Sequence, residues 1–464
     1  MPLLEKTMFR EYDIRGQESD AELCEESMRH IALGFGAMLR AHGVTECVLG
    51  HDARGTSERF HQAARAALMS SGIHIVDVGL CTTPMSYWAQ YRFKVDGLCM
   101  ITASHNPLGW NGVKLAYAVG QTLLPGDVGK LYDIIRDEAY ASGEGSVRDE
   151  DIREAYFADL LSRVSLARPL KVLLNTGNGT AGAFAPEFLR RLGCEVVERY
   201  TEVDPSYPHY TPNPDGTAMM EDTGAQAREH DCDVGIAFDG DGDRLGITDE
   251  QGATIWPDRY LMLLAREVLE KHPGASIVFD VKVSEALGED IAAHGGVPVM
   301  WMTGHSYIKA KRAETNAPLA GEMSGHIFYA DNYYGFDDAF FAVARLLSYV
   351  AREGKKLSEL IASTPYYVST PTIQVHVTDE SKYGLVEALT KEFLEEHDRV
   401  VTLNGARAYM EGGWGLVRAS SNTPTLVMRF EAADEAAVAR IRARFAEKLR
   451  AHGVPDSAWD ATGH

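Results

Sequence analysis

The sequence predicts an α/β protein: three α/β domains with mixed, mostly parallel sheets, followed by a C-terminal α+β domain. The length of 464 residues is enough for several domains of ordinary size. Up to residue 365, short apolar runs alternate with helical stretches, which is the pattern of layered α/β folds. From residue 366 onward, strand-like and helical segments follow one another in an order typical of an antiparallel α+β module.

Several apolar runs lead directly into loops rich in glycine, aspartate or asparagine. These runs are 47–50, 98–101, 171–174, 234–238 and 276–279. Alternating strands and helices imply largely buried, mostly parallel sheets, in which ligands gather at the carboxyl ends of the strands. The loops that follow the runs are therefore candidates for ligand contacts.

Changes of composition divide the chain into four segments, 1–150, 151–253, 254–365 and 366–464. A charged run between residues 138 and 154 separates the first two segments, and Pro365 and Pro371 mark the last transition. For the last segment the pattern predicts a strand at 372–377, a helix at 383–396, strands around Arg407 and Leu426, and a helix at 436–449.

The charge balance excludes some classes of partner. The 45 Lys and Arg residues against 67 Asp and Glu give a formal net charge of −22, which disfavours nucleic acid and anionic membranes. A phosphate substrate would then need a local basic cluster. The six cysteines form no C-x-x-C pair, and no apolar signal region or run of about 20 apolar residues occurs. We expect a cytoplasmic protein without disulfides or zinc.

Ser104 is the first candidate for chemistry. It lies in the motif Thr102-Ala103-Ser104-His105-Asn106-Pro107, directly after the apolar run. Pro107 stiffens the loop and biases Asn106 away from helical conformation. A small hydroxyl presented in this way suits a nucleophile. If Ser104 carries a phosphoryl group, the chain is a phosphotransfer enzyme.

An acidic loop, Asp239-Gly240-Asp241-Gly242-Asp243, is the second candidate. Three carboxylates at alternate positions can bind one hard cation. A calcium EF-hand is disfavoured because Arg244 stands where its turn glycine should be and because the flanking residues predict strands. A solvated acidic turn stays open as an alternative, although Arg244 beside the aspartates suits a site for both a cation and a phosphate.

Further loops combine charges, hydroxyls and imidazoles, and each also has an ordinary structural explanation. Arg15 and Lys114 could be surface charges. The loops 303–306 and 321–326 suit sugar hydroxyls, whereas a single histidine is more often structural. The segment 418–424 could be an anion cradle or a polar turn between two strands.

Taken together, these loops resemble the α-D-phosphohexomutase family, most closely its bacterial phosphomannomutase/phosphoglucomutase members. The motifs that carry the resemblance are T-A-S-H-N-P, D-G-D-G-D-R, G-E-M-S-G-H and R-A-S. They occur in the order of the family and extend from Phe9 to the loop after Arg418. The resemblance implies four domains around a central cleft. In chain order these would bear the phosphoserine, bind the metal, recognise the sugar and bind the phosphate.

The resemblance also implies a reaction. Ser104 would be phosphorylated at rest, and Mg²⁺ would be held by its phosphate together with Asp239, Asp241 and Asp243. The phosphoserine would phosphorylate a hexose 1- or 6-phosphate to give a hexose 1,6-bisphosphate, the intermediate and activator. The other phosphate would then return to Ser104.

The remaining roles follow the family motifs residue by residue. The resemblance implies catalytic roles for Ser104, Lys114, Arg15 and His326, with Lys114 and His326 as candidate general acid and base. It implies substrate contacts for Tyr12, His105, Asn106, Arg244, Lys282, Gly304, His305, Glu322, Ser324, Arg418, Ser420 and Asn422.

The sugar-reading loop suggests dual specificity. In the family, the residues matching Glu322 and Ser324 hold the 3- and 4-hydroxyls, whereas glucose and mannose differ at carbon 2, so we expect both sugars to be used. The sequence departs from the family pattern in two places: at Ser421-Asn422 after the R-A-S motif, and at Glu285, where close relatives often have a second basic residue. A contact of Glu285 with phosphate is therefore not expected.

Three alternative functions match parts of the sequence. A phosphoglucosamine mutase would share the chemistry, but that subgroup usually has Gln where Met323 stands. A non-catalytic sugar-phosphate binder would be expected to lose the serine or an aspartate, and this chain keeps them. A calcium-binding structural protein does not fit the strand context. We expect a monomer that acts on small hexose phosphates.

Overall fold

The computed structural model describes residues 4–410, 412–421 and 423–459. Four β-sheets follow one another along these residues, three of them mixed and the last antiparallel. Helices pack against all four, so the predicted fold class is confirmed. We call each sheet with its helices a unit and number the units in chain order.

The first unit has a seven-stranded sheet in the order β1-β5-β4-β2-β3-β7, with β6 paired to β5. Its strands are β1 (Ile14–Gln17), β2 (Glu46–His51), β3 (His74–Leu80), β4 (Gly97–Ile101), β5 (Trp110–Ala118), β6 (Gln121–Thr122) and β7 (Val147–Asp149). Its helices are α1 (Glu25–Ala41), α2 (Ser57–Ser70), α3 (Thr83–Phe93) and α4 (Pro125–Arg136). The parallel strand β4 is fully buried, which explains its unbroken apolar run.

The second unit has a five-stranded sheet in the order β12-β11-β10-β8-β9. Its elements are α5 (Arg153–Arg163), β8 (Lys171–Asn175), α6 (Ala185–Leu192), β9 (Glu195–Arg199), α7 (Thr217–Glu229), β10 (Val234–Phe238), β11 (Leu245–Thr248) and β12 (Thr254–Ile255). The acidic loop is the connection between β10 and β11, which pair antiparallel. The predicted strand context of that loop is therefore present, and the helices of an EF-hand are not.

The third unit has a four-stranded sheet in the order β14-β13-β15-β16. Its elements are α8 (Pro257–Lys271), β13 (Ser276–Asp280), α9 (Glu285–Ala293), β14 (Val297–Trp301), α10 (His305–Glu314), β15 (Leu319–Gly321), β16 (Ile327–Tyr329), α11 (Ala339–Glu353) and α12 (Leu357–Ala362). The two sugar-loop candidates follow β14 and connect β15 to β16.

The fourth unit has an antiparallel sheet in the order β17-β22-β21-β20-β19, with β18 paired to β22. Its elements are β17 (Val368–Ser369), β18 (Ile373–His376), α13 (Lys382–Glu396), β19 (Val400–Val401), β20 (Ala406–Met410), β21 (Gly413–Ala419), β22 (Thr425–Ala432) and α14 (Glu435–Ala451). Strand β21 puts Arg418 inside a strand rather than in the turn after it. Its glycine-rich sequence does not resemble a strand. Packing explains one of the glycines, because a Cβ at Gly415 would lie 2.4 Å from the Phe445 ring.

The apolar cores show how the units are joined. One cluster of buried side chains runs through the first three units and includes Met100, Phe238 and Phe340. The fourth unit has a core of its own between its sheet and helices α13 and α14. No helix of the described residues is long and apolar enough to cross a membrane.

Candidate active site

A cleft with about 780 Å³ of free space lies where the four units meet. Fourteen of the residues predicted for the site line it: Tyr12, Arg15, Ser104, His105, Lys114, Arg244, Lys282, Gly304, His305, Glu322, Ser324, His326, Arg418 and Ser420. Asn106 and the three aspartates are buried but are not among the lining residues. Asn422 lies outside the described residues. The five cations among the lining residues form the local basic cluster that a phosphate substrate needs in an acidic protein.

Ser104 is held in an unusual backbone conformation. Its φ of +49° is in the left-handed region, which is uncommon for residues other than glycine. The Ser104 N–H donates to Thr102 Oγ1 at 2.8 Å, and its hydroxyl donates to Asp239 Oδ2 at 2.9 Å. The His105 Nδ1 atom lies 3.1 Å from the same hydroxyl. The hydroxyl therefore points at the acidic loop, as a nucleophile serving a metal site would.

The acidic loop can approach Ser104 because of its glycines. A Cβ at Gly240 would lie 2.4 Å from the carbonyl oxygen of Ser104, which is too close for any side chain. Gly242 has a φ of +74°, which favours glycine. The backbone N–H groups of Asp243 and Arg244 both donate to Asp239 Oδ1 at 3.1 Å. The turn thus fixes the three carboxylates against the serine loop.

The three aspartates form a group that can hold a metal ion. One oxygen from each of Asp239, Asp241 and Asp243 lies within 4.8 Å of the others, and all three residues are fully buried. Asp241 Oδ1 and Asp243 Oδ1 have no hydrogen-bond partner among the described residues. Burial and the charges of its two neighbours raise the pKa of Asp239 well above its usual range. A bound cation would supply the missing contacts and relieve this repulsion.

Lys114 and Arg15 are not surface charges. Lys114, on strand β5, is 1% exposed and its Nζ donates to Asp241 Oδ2 at 2.8 Å and to Asp243 Oδ2. Burial alone would lower the pKa of Lys114, but the two carboxylates outweigh it and raise the pKa. Arg15 donates to Asp13 Oδ2 at 2.8 Å and to the Thr102 carbonyl at 2.8 Å. Both cations are therefore fixed at the serine end of the cleft.

His326 lies in a chain of charged groups. Arg244 Nε donates to His326 Nε2 at 3.1 Å, so the neutral ring carries its proton on Nδ1. That Nδ1 is 3.2 Å from Asp337 Oδ2, and Asp337 accepts from Lys309 Nζ at 3.1 Å. The Nε2 lone pair becomes available for a proton when Arg244 turns toward another anion.

The sugar-loop residues meet at the middle of the cleft. Glu322 Oε1 accepts from the N–H of Gly304 at 2.5 Å, and burial raises the pKa of Glu322. The His305 ring packs edge-on against Tyr12 at 4.8 Å between centroids, and neither ring nitrogen has a partner among the described residues. Burial holds the pKa of His305 well below its usual range, so the ring is neutral. Two buried, unpaired nitrogens suit sugar hydroxyls, which both donate and accept.

Arg418 lines the cleft from the fourth unit, and we call this part of the cleft the Arg418 end, as distinct from the serine end. Its Nε donates to Asn404 Oδ1 at 2.7 Å and its Nη2 to Ser421 Oγ at 3.2 Å. The following turn is held from behind, because Lys382 Nζ donates to the carbonyl oxygens of Ser420 at 2.7 Å and Thr423 at 3.1 Å. Arg418 therefore lines the cleft as a candidate for a contact with an anion.

Glu285 pairs with cations of the fourth unit. Its carboxylate accepts from Arg407 Nη2 and from Arg399 Nη2, each at 2.8 Å. The residue thus contributes to the docking of two units.

Comparisons with known proteins support the same assignment over almost the whole chain. The family models for phosphoglucomutase/phosphomannomutase alpha/beta/alpha domains I, II and III match residues 6–142, 154–252 and 256–367, and the model for the C-terminal domain matches 373–448. A phosphomannomutase/phosphoglucomutase of Pseudomonas aeruginosa is 40% identical over 450 residues, covering 97% of each chain.

The chain belongs to the phosphoglucomutase/phosphomannomutase family. A phosphoglucomutase of Neisseria gonorrhoeae is 37% identical, over 96% of this chain and 97% of the relative. The crystal structure of a family protein from Burkholderia thailandensis matches with a TM-score of 0.90 and 38% identity, covering 97% of this chain and 98% of the other. The family predicted from the motifs is confirmed.

Sequence reasoning missed several buried residues of the site. Arg54 contacts the serine loop, and Thr83 donates to Asp241 Oδ2 at 2.6 Å. Asp337 and Lys309 lie behind His326. None of them belongs to a motif that points to chemistry, and a lone arginine or lysine in a sequence is normally a surface residue. Only Arg54 had a signal, because it follows the first of the apolar runs.

Proposed function

We propose that this protein interconverts hexose 1-phosphate and hexose 6-phosphate, with Ser104 as the phosphoryl carrier. The observation that carries the proposal is the position of the Ser104 hydroxyl, which donates to Asp239 in a cleft that Arg418 and the sugar-loop residues also line. A hexose phosphate that binds its own phosphate at Arg418 presents its free hydroxyl to Ser104.

Each half-reaction moves one phosphoryl group. In the first, the free hydroxyl of the sugar attacks the phosphorus on Ser104, the serine oxygen–phosphorus bond breaks, and the proton of the sugar hydroxyl ends on the Ser104 oxygen. The product is a hexose 1,6-bisphosphate. After this intermediate turns round, the Ser104 oxygen attacks the other phosphorus and the bond between that phosphorus and the sugar oxygen breaks. The serine proton ends on the sugar oxygen, and the opposite monophosphate leaves. Positioning and neutralisation of the phosphoryl oxygens dominate such transfers.

The metal ion is proposed to be Mg²⁺, held by Asp239, Asp241 and Asp243, and it would withdraw negative charge from the phosphoryl oxygens. Lys114 and Arg15 add fixed positive charge at the same end. Arg244 would leave His326 to contact the phosphoryl group on Ser104, and His326 Nε2 could then take the proton of the sugar hydroxyl. Lys114, held between two carboxylates, is protonated at rest and supplies positive charge. It is also the second candidate for the group that donates a proton.

The sugar is held by Glu322, Ser324 and His305, with Lys282 and Tyr12 beside them. These groups lie in the middle of the cleft, and we propose that they contact carbons 3 and 4 in both orientations. Glucose and mannose phosphates would then both be substrates, since they differ only at carbon 2. Values of kcat/KM that strongly and exclusively favour one of the two sugars would contradict this.

The four segments divide this work. We propose that 1–150 carries the phosphoserine, 151–253 the metal, 254–365 the sugar contacts and 366–464 the phosphate grip. Ser420 and Asn422 would complete the grip of Arg418, while His105 and Asn106 flank the nucleophile. The enzyme is proposed to act as a monomer in the cytoplasm, without nucleic-acid or membrane partners and with hexose 1,6-bisphosphate as activator.

Intact-mass measurement tests the central claim. The purified protein, or protein incubated with a hexose 1,6-bisphosphate, should carry one phosphoryl group, and the variant Ser104→Ala should carry none. If the wild-type protein stays unphosphorylated under both conditions, the proposal is wrong.

A further inference from the structure

Arg54 lies behind the serine loop and does not line the cleft. The side chain is 5% exposed, and its guanidinium group donates to a set of backbone carbonyl oxygens. Nη2 donates to Ser104 O at 2.7 Å and Asn106 O at 2.6 Å, and Nη1 to Pro107 O at 3.1 Å and Trp110 O at 3.0 Å. One planar group thus ties together the whole turn that presents the nucleophile.

The guanidinium group is itself fixed by neighbours from two units. Asp52 Oδ1 accepts the backbone N–H of Arg54 at 3.0 Å, and its Oδ2 lies 3.5 Å from Nε. From the second unit, the ring of Tyr207 stacks at 5.4 Å from the guanidinium carbon. A buried arginine with a carboxylate partner and an aromatic cover is pre-organised for several simultaneous hydrogen bonds.

The serine loop needs such support for two reasons. Ser104 has a left-handed backbone, which costs on the order of 1–3 kcal/mol and persists only where the surroundings enforce it. A loop that carries a phosphoryl group must also turn its carbonyl dipoles away from that negative charge. Carbonyl oxygens that accept hydrogen bonds from a cation at the back satisfy both needs. Lys382 supports the turn after Arg418 in the same way.

We propose that Arg54 is a positioning residue for phosphoryl transfer: it collects the carbonyl oxygens of the serine loop and thereby keeps the Ser104 oxygen aimed at Asp239 and the incoming sugar. The inference rests on the proposed function. Because Arg54 touches neither the Arg418 end nor the sugar loops, its loss should lower kcat while leaving KM for hexose phosphate nearly unchanged. Misplacement of a reacting group by about 1 Å can cost roughly 100-fold in rate.

The test uses the full chain with three substitutions. Arg54→Gln removes the charge and the fork of donors, and Arg54→Lys keeps the charge but loses the planar fork. Arg59→Gln is the control, because Arg59 lies in helix α2, which begins three residues after Arg54, and because it is exposed and pairs at the surface with Glu25. For each protein, steady-state kinetics gives kcat and KM, intact mass gives the rate at which hexose 1,6-bisphosphate loads Ser104, and near-ultraviolet circular dichroism reports folding.

We expect kcat and the loading rate to fall by roughly 100-fold in R54Q and by about 10-fold in R54K, with KM within about twofold and R59Q like the wild type. Wild-type kcat and loading in both folded Arg54 variants would overturn the inference. So would a rise of KM in parallel with the fall of kcat, or unfolding of both variants, since either indicates a general structural role. Absence of loading in the wild-type protein would instead contradict the proposed function.

Discussion

The serine end and the Arg418 end of the cleft are connected to the rest of the protein in different ways. The serine end joins the first and second units, which share one apolar core with the third. The Arg418 end belongs to the fourth unit, whose core is separate. That unit docks on the third through a small apolar cluster around Trp414 and through two buried arginines.

The two docking arginines bind the backbone around Lys282, a candidate substrate-binding residue. Arg407 donates to the carbonyl oxygens of Val281 and Val283, each at 2.9 Å. Arg429 donates to Lys282 O at 2.5 Å and to Asp258 Oδ2 at 2.9 Å. The fourth unit also meets the first through polar contacts: Tyr383 donates to Glu11 Oε1 at 3.2 Å, and Arg10 donates to Asp379 Oδ2 at 3.5 Å.

This difference suits the proposed reaction. A phosphoryl group has to be transferred within a fixed geometry, which a shared, close-packed core provides. The sugar has to turn round between two transfers, which requires a grip that can be released. A unit with its own core, held by a small apolar cluster, ion pairs and hydrogen bonds, would be able to move as a body without disturbing the serine end.

The largest expected effect on activity is at the serine end. Ser104→Ala removes the phosphoryl carrier, so turnover should fall on the order of 10⁶-fold, as for other nucleophiles on which the whole reaction depends. Binding of a hexose monophosphate, measured by calorimetry, should persist because the grip is untouched. Retained turnover in this variant would contradict the role of Ser104.

The docking interface should be next in size. Arg429→Met leaves the carboxylate of Asp258 buried without its partner, and breaking such a pair costs about 3–5 kcal/mol. We expect a lower midpoint of thermal unfolding, or a separate early transition of the fourth unit, in calorimetry. Arg352→Met, at an exposed ion pair with Glu270, is the control and should shift the midpoint little. Equal effects of both substitutions would contradict the docking role.

Removing one metal-site carboxylate should cost about 100-fold. Asp241→Asn takes away a charge that faces Lys114 and the proposed cation, so kcat should fall and the Mg²⁺ concentration for half-maximal activity should rise. Excess chelator should abolish wild-type activity, and added Mg²⁺ should restore it. An unchanged dependence on Mg²⁺ in the variant would argue against metal binding at this loop.

The smallest effect is expected at the grip. Arg418→Gln loses a charge-assisted contact to phosphate worth about 1.5–3 kcal/mol, so KM should rise roughly 10- to 100-fold. The rate at which Ser104 is loaded by saturating bisphosphate should change much less. If loading at saturation fell as strongly as kcat/KM, the two ends would not be separable.

Much of the site could be predicted from the sequence because its residues sit in loops with distinctive chemistry. Ser104, the three aspartates and the 322–326 loop lie together as their motifs predicted. The supporting residues could not be found in this way. Arg54, Asp337 and Lys309 act through burial and partners distant in sequence, and apart from the apolar run before Arg54 nothing local separates them from surface charges.

The sequence by itself determined the fold class, the family and most of the residues that we assign to the cleft, because periodicity and motif chemistry are local properties of the chain. Only the tertiary structure decided that Lys114 is a buried partner of the aspartates, that Glu285 docks two units, and that a guanidinium group backs the serine loop. These are properties of contacts between distant segments. Burial strengthens the interactions between charges there and raises the cost of each unpaired polar atom.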